Sequence, residues 1–288
     1  MPQSRNWSLK KKLGDRVQRI SVLTEAAGRQ TGPPPDLDGA ATVETDWGPL
    51  FIDAGDDVIR PAIEEHRIWE PGETELLLGW LRPGMTFLDI GAHVGYYTVL
   101  AARRVAPGGL VFAFEPSPRN YELLLANVWR NELTNVACFP WAVTDRSSFV
   151  DLFVNERNTG DNRMFGEGPG IRVRSVALDA MPQIRPPIDI VKIDVQGAEE
   201  AVIAGMRGVL ARSPAARVTL EFWPFGLRAL GRDARGALEF YRSLGYHLQV
   251  QDPERSGVED WTDEQILDHC ARNHGELHTN LVLTRSRG

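Results

Sequence analysis

Apolar positions along this chain change their period several times, and each change marks an element. In residues 1–31, Leu9, Leu13, Val17, Ile20 and Leu23 recur at helical spacing among Lys10, Lys11, Lys12, Arg16 and Arg19. Such a stripe predicts an amphipathic helix docked on the domain or on a second subunit; a membrane surface or an acidic partner would suit the same face. Thr31-Gly32-Pro33-Pro34-Pro35-Asp36 breaks the pattern and reads as a linker. Residues 41–60 alternate and turn at Trp47-Gly48-Pro49, as in a short hairpin. Glu73 to Leu81 is a helical segment stopped by Arg82-Pro83-Gly84.

From residue 86 the pattern becomes strand, helix, strand. Continuous apolar runs at 86–90, 110–115, 135–139, 188–194 and 217–222 predict buried strands, with helices near 94–105, 118–130 and 198–210. Tyr241 to Val250 and Thr279 to Thr284 supply two late strands. The predicted fold class is α/β, a mostly parallel sheet covered on both faces. An N-terminal extension over 1–64 precedes a main domain over 65–288. Residues 145–179 interrupt the alternation: 149–154 and 171–178 read as strands, separated by a polar stretch from Asn155 to Arg163 and a glycine-rich piece ending at Gly170. A polar loop of that length is either functional or a solvent loop.

Composition narrows the class. The 288 residues are 42% hydrophobic and 25% charged, as in an ordinary globular protein. A net charge of -7 disfavours nucleic acid as a partner. Cys138 and Cys270 are too few for a disulfide framework, which suits a reducing cytoplasm. No apolar run approaches the roughly 18 residues of a membrane span. In the tail, His269, Cys270, His274 and His278 invite a zinc reading, but their spacing matches no standard finger; a lid or acceptor-specificity role for 251–279 suits them better.

The chemistry concentrates at strand ends. Phe87-Leu88-Asp89-Ile90-Gly91-Ala92-His93-Val94-Gly95-Tyr96-Tyr97-Thr98 is an apolar strand delivering a glycine turn to a helix, the geometry of a nucleotide-binding loop. A dinucleotide fingerprint would place glycines where His93 and Tyr96 stand, and no Gly-Lys-Ser/Thr of a P-loop is present. Glu115 ends the next strand, where a carboxylate can accept bonds from a ribose diol. A nucleoside without a pyrophosphate fits this pair, and S-adenosylmethionine is such a ligand.

The turn resembles the Asp-(apolar)-Gly-Ala-Asn-x-Gly-(aromatic)-Tyr-Thr pattern of FkbM-type methyltransferases. Phe114-Glu115-Pro116, Ser175-Val176-Ala177-Leu178-Asp179 and Val191-Lys192-Ile193-Asp194-Val195-Gln196-Gly197-Ala198-Glu199 resemble three further blocks of that family, in order, over about residues 65 to 250. His93 stands where the family has Asn, and Gln196 where it has Glu. The resemblance implies a Rossmann-like seven-stranded methyltransferase fold with an antiparallel late hairpin. It also implies S-adenosylmethionine as cofactor and methyl transfer to a hydroxyl of a sugar or natural product.

On this reading Asp89, Gly91, Ala92, His93, Gly95, Tyr97, Glu115, Pro116, Asp145 and Asp194 are the cofactor-binding candidates, with Asp145 facing the adenine amine. Asp194 and Glu221 end adjacent strands and are the candidates for base, acceptor anchor or ligands of a divalent metal; His93 is a third candidate base. Lys192, Trp223 and Phe225 are expected to contact the acceptor. Glu199 opens a helix, where a carboxylate also stabilises the amino end. Methylation of a macromolecule, or a non-catalytic nucleoside-binding module, are the competing functions. A cytoplasmic enzyme with a small-molecule acceptor, no nucleic-acid partner, no membrane span and homodimerisation through the N-terminal segment completes the expectation.

Overall fold

The computed structural model describes residues 37–155, 157–251, 257–272 and 277–285. The N-terminal amphipathic segment, its linker and His274 lie outside the described residues. The hairpin of β1 (Ala40–Thr45) and β2 (Gly48–Asp53) leads to α1 (Ile59–His66) and α2 (Pro71–Trp80). Then come β3 (Thr86–Ile90), α3 (Tyr96–Val105), β4 (Leu110–Phe114), α4 (Pro118–Arg130) and β5 (Val136–Phe139). The short β6 (Ala142–Val143), β7 (Ser148–Leu152) and β8 (Ile171–Val176) follow. The second half comprises β9 (Ile190–Ile193), α5 (Glu199–Gly205), α6 (Arg207–Ala211), β10 (Arg217–Phe222), α7 (Pro224–Ala229) and α8 (Ala234–Ser243). It closes with β11 (His247–Gln251), β12 (Val258–Glu259), α9 (Asp263–Ala271) and β13 (Thr279–Thr284).

The main sheet has the order β12-β11-β13-β10-β9-β3-β4-β5. From β10 to β5 the strands are parallel; β13 runs antiparallel between β10 and β11. The chain moves outward from β3 on one side and returns to β9 on the other, so a crevice opens at the carboxyl ends of β3 and β9. Alternate residues of each strand feed different cores. Leu88, Ile90, Phe112, Phe114, Val191 and Ile193 pack on one face. Phe87, Val111, Ala113 and Ile190 pack on the other, with Ile59, Ile63 and Leu77 of the first two helices. Both faces are dry, which is why the strands read as unbroken apolar runs.

Four boundaries differ from the sequence pattern. The helix expected over 198–210 divides into α5 and α6 at Met206, whose φ of −127° leaves the helical region. The late strand expected from Tyr241 begins at His247, because Leu238 and Tyr241 are buried at helical spacing in α8. The strands at 148–152 and 171–176 leave the main sheet and join β6 in a separate three-stranded one. Two-residue β12 adds an edge strand to the expected seven.

The hairpin is fastened by asparagines of α4. Asn127 donates to the carbonyls of Phe51 (2.8 Å) and Val94 (2.7 Å) and accepts the Phe51 N–H (2.6 Å). One buried amide thereby ties the hairpin to the turn after β3, with its polar groups satisfied. Among the described residues, no helix is long and apolar enough to cross a membrane.

Candidate active site

A cavity of about 640 Å³ occupies the crevice, within the usual range for a small-molecule site. Its floor is the turn after β3. The N–H groups of Gly91 and Ala92 both donate to the Phe114 carbonyl, at 3.0 and 2.9 Å. Gly91 has a φ of +83°, and a Cβ there would run into the Asp194 carbonyl. The turn therefore needs glycine to let the ends of β3 and β9 approach. Asp89 faces inward: fully buried, it accepts the Thr98 hydroxyl at 2.5 Å and pins the first turn of α3 to its strand.

Glu115 follows β4 and closes one end of the cavity. Its carboxyl oxygens accept the backbone N–H of His93 (2.8 Å) and of Ser117 (2.9 Å). Burial pushes its pKa up to about 7, against those two bonds. The aimed carboxyl keeps unused lone pairs for further donors.

The other end holds a carboxylate cluster built on one sheet face. Lys192 lies beside Asp89 on β3 and Thr219 on β10 in the strand register. Its side chain is 4% exposed, with Nζ 3.1 Å from Asp194 Oδ2 and 3.6 Å from Glu73 Oε2. Thr219 donates to the second Glu73 oxygen at 2.8 Å. Glu70, which accepts the Tyr97 hydroxyl at 2.9 Å, is pushed up to about 8 by burial and by Glu73. The Gln196 amide lies between Asp194 Oδ1 and Glu221 Oε2, donating to each at 2.9 Å. Burial opposes ionisation of Asp194, but Lys192 and Gln196 outweigh it and hold its pKa below the ordinary value. Glu221 goes the other way: burial, then Asp194, raise it well above the ordinary value. His278 Nε2 lies 3.4 Å from Glu221 Oε1.

Opposite stands an aromatic wall. Trp223 and Phe225 have ring centroids 5.3 Å apart, and Phe165 lies 6.0 Å from Trp223. The Arg163 guanidinium stacks over Trp223 at 4.7 Å.

A family model described as the methyltransferase FkbM domain matches residues 89–248, more than half of the chain, including this crevice's turn and the acidic strand ends at Glu115, Asp194 and Glu221. The chain belongs to the FkbM methyltransferase family. No curated relative matches it. Among solved structures it is similar to an FkbM methyltransferase from Methylobacillus flagellatus KT, at 15% identity and a TM-score of 0.43, over 71% of this chain and 45% of that one. The chain thus spans less than half the length of that relative. It is also similar to a SAM-dependent O-methyltransferase from Thermotoga maritima, at 14% identity and a TM-score of 0.46, over 89% of this chain and 80% of that one. An rRNA methylase from Streptococcus thermophilus shares 10% identity at a TM-score of 0.45, over 75% of this chain and 95% of that one.

The family is one of methyltransferases, and the residues lining the crevice fit S-adenosylmethionine as the methyl donor. Gly91 lines the cavity, and Glu115 presents a buried carboxyl to it from the end of β4. Of the expected cofactor residues, Gly91, Ala92, His93, Tyr97, Glu115, Pro116 and Asp194 line this cavity. Asp89 and Gly95 support it from behind; a Cβ at Gly95 would press on Leu124 at 2.6 Å.

Asp145 lies elsewhere: it lines a second, smaller cavity and pairs with Arg146 and Arg232. Lys192 lines the cavity, with its ammonium flanked by Asp194 and Glu73. Glu199 turns back to the Gly197 N–H at 2.9 Å, a role at the helix start. Cys270 is buried in the core and its thiol is pushed up to about 12, unlike a zinc thiolate. Among the described residues, no group of three His, Cys, Asp or Glu side chains is arranged to hold a metal. Trp69, Glu70 and Asn120 line the cavity without having been legible as site residues. Thr159 and His278 also line it; the length and polarity of the 155–163 loop pointed toward the first, and the lid or specificity role expected of 251–279 toward the second.

Burial gives this site a pH signature. The folded pKa values of Glu115 (about 7), Glu70 (about 8) and Glu199 (about 8) lie above the ordinary 4.5. The folded state therefore binds protons more tightly than the unfolded one, and this stabilisation is lost as pH rises through 7 to 8. His93 and His278, with lowered values, act in the opposite sense only below about 6.5. Calorimetric unfolding of the ligand-free enzyme should accordingly give a midpoint that falls from pH 6.5 to 8. A midpoint that climbs over that interval would contradict the buried-carboxyl assignment.

Proposed function

We propose that this FkbM methyltransferase transfers the methyl group of S-adenosylmethionine to a hydroxyl of a small polyhydroxylated acceptor, a sugar or natural product. The observation that carries the reading is the Asp194–Glu221 pair. Gln196 braces two carboxyls whose surroundings drive them apart, one ionised and one protonated. Such a pair accepts a hydrogen bond at one oxygen and donates one at the other, which suits a hydroxyl with an oxygen neighbour. The Trp223–Phe225 wall offers an apolar surface to the ring carbons of that acceptor. The acidic net charge disfavours a phosphate backbone as the acceptor.

S-adenosylmethionine supplies an electrophilic methyl on a sulfonium whose departure leaves a neutral thioether. Alignment in a dry site is then the chain's largest contribution, worth up to roughly 7–11 kcal/mol in ideal cases. Glu115 would hold the ribose diol, and the turn from Gly91 to His93 would face the amino-acid end. Asp194 Oδ1, free of the Lys192 ammonium, orients the acceptor hydroxyl and takes its proton. Protonated Glu221 donates to the neighbouring oxygen. The 158–164 segment lines the cavity and would shield a bound methyl donor from water. Because the Gln196 amide occupies the space between the two carboxyls, proton removal is assigned to Asp194 without help from a metal.

Asp194→Asn is expected to lower kcat about 10²- to 10⁴-fold, the usual worth of a positioned base, with S-adenosylmethionine affinity within a few-fold. Glu221→Gln, which keeps a donor, should lose less. Methyl-labelled cofactor offered to panels of sugars, natural-product alcohols, RNA and protein reads the acceptor class. Label entering RNA or protein and no alcohol would overturn the small-acceptor reading. Full function with both carboxyls replaced would favour a non-catalytic nucleoside module.

A further inference from the structure

Asp56 and Thr159 lie outside every motif, one before α1 and one in the polar loop, yet they meet at His93. Asp56 Oδ1 accepts the backbone N–H groups of Val58 (3.0 Å), Ile59 (2.6 Å) and Arg60 (3.1 Å). Its Oδ2 accepts both the N–H and the hydroxyl of Thr159, at 3.1 and 2.6 Å. Burial opposes ionisation of Asp56, but these bonds outweigh it and hold the group below its ordinary pKa. An ionised carboxylate only accepts, so the single hydroxyl proton of Thr159 is committed to Asp56. The Thr159 oxygen can then only accept from His93 Nε2, 2.7 Å away.

Two consequences follow for the ring. Nε2 carries the hydrogen. Burial lowers the His93 pKa to about 4, so the ring is neutral and Nδ1 is a bare acceptor. Nδ1 has no hydrogen-bond partner among the described residues, and His93 lines the cofactor cavity. The residue is held at both ends, since its backbone N–H is bound by Glu115 Oε2 at 2.8 Å. Asn120 fixes the Thr159 carbonyl at 2.8 Å, so the loop carrying the hydroxyl is itself anchored to α4.

We propose that Asp56 and Thr159 lock His93 as the Nε2–H tautomer, so that its bare Nδ1 accepts a hydrogen bond from the α-ammonium group of bound S-adenosylmethionine. A carboxylate has no proton to offer this nitrogen, which excludes the methionine carboxylate as its partner. The acceptor hydroxyl is served by Asp194 and Glu221 on β9 and β10, whereas His93 belongs to the cofactor turn and shares Glu115 with the ribose. His93 is thus a positioning residue for the donor.

The inference rests on the S-adenosylmethionine reading of the cavity, and binding separates the two. S-adenosylhomocysteine and its analogue lacking the α-amino group are titrated calorimetrically into wild type, His93→Phe, His93→Asn and Thr159→Val. Wild type should prefer the amino ligand by about 10- to 100-fold, the range for one charged hydrogen bond. His93→Phe should bring the two ligands within about twofold. His93→Asn, which restores an oxygen acceptor, should recover part of the preference. Nitrogen-15 NMR of the His93 ring should report the Nε2–H tautomer in wild type and a mixture in Thr159→Val. An undiminished preference in His93→Phe, or a proton on Nδ1 in wild type, would overturn the assignment. Absence of binding of both ligands to wild type would instead overturn the cofactor site itself.

Discussion

Glu115→Ala is expected to weaken S-adenosylmethionine binding about 30- to 1000-fold. The carboxyl already orders two backbone N–H groups, from His93 and Ser117, and its remaining lone pairs face the cavity. One or two bonds from a ribose diol to such a carboxylate contribute roughly 2–4 kcal/mol, and each 1.4 kcal/mol is tenfold in affinity. Alanine also strands the two N–H groups, so some stability is lost with it. Glu115→Gln separates these effects, because its carbonyl can keep one backbone bond while the amide presents hydrogens to the diol. Calorimetric Kd values for both variants, alongside their thermal midpoints, test the role. A folded Glu115→Ala enzyme with a Kd within threefold of wild type would end it. The wild-type affinity should also decline as pH falls below about 7, where Glu115 takes up its proton, and this slope should be missing from the alanine variant.

Lys192→Met is expected to destabilise the enzyme by about 3–5 kcal/mol, the usual result of removing one partner of a buried ion pair. At roughly 2–4 °C per kcal/mol for a domain of this size, the thermal midpoint should fall on the order of 10 °C. The lysine is nearly inaccessible, touches Asp194 and Glu73, and lies 4.6 Å from the centre of the Tyr97 ring. Burial disfavours its charge, but Asp194, Glu73, Glu70 and Asp89 together raise its pKa well above the ordinary value. Methionine keeps the volume and leaves those carboxylates without a cation. Adding Glu73→Gln should return part of the lost stability, since the two side chains share one network. A midpoint within 2 °C of wild type would show that the cluster does not depend on this cation. Loss of Lys192 also removes the charge that keeps Asp194 ionised, so methyl transfer should fall with stability.

The parts of this protein that were legible in its sequence are those dictated by local chemistry. Strands buried on both faces must be apolar throughout, so β3, β4, β5, β9 and β10 announce themselves as continuous runs. Gly91 stands where two strand ends approach too closely for a side chain, and Glu115 stands where a strand stops. Asp194 and Glu221 were readable for the same reason: a charge after an apolar strand comes out at its carboxyl edge. The start of β11 was misread because Tyr241 is buried on a helix, and burial alone does not distinguish the two periods over so short a run. Asp145 enters the second cavity rather than the first, a choice that sequence adjacency to a strand end does not reveal.

What tertiary structure alone decided is the pairing of residues far apart in the chain. Glu73 reaches Lys192 and Thr219 only because α2 packs across that face of the sheet. Asp56, His93 and Thr159 meet through a loop that leaves the main sheet and returns. Gln196 reads as a loss of charge in the sequence, and becomes a brace only when β9 and β10 set Asp194 and Glu221 on either side of it. Periodicity and steric need are properties of neighbours along a chain. The ionisation of a buried group is a property of whatever the fold brings within a few ångströms, and that is where the chemistry of this site was set.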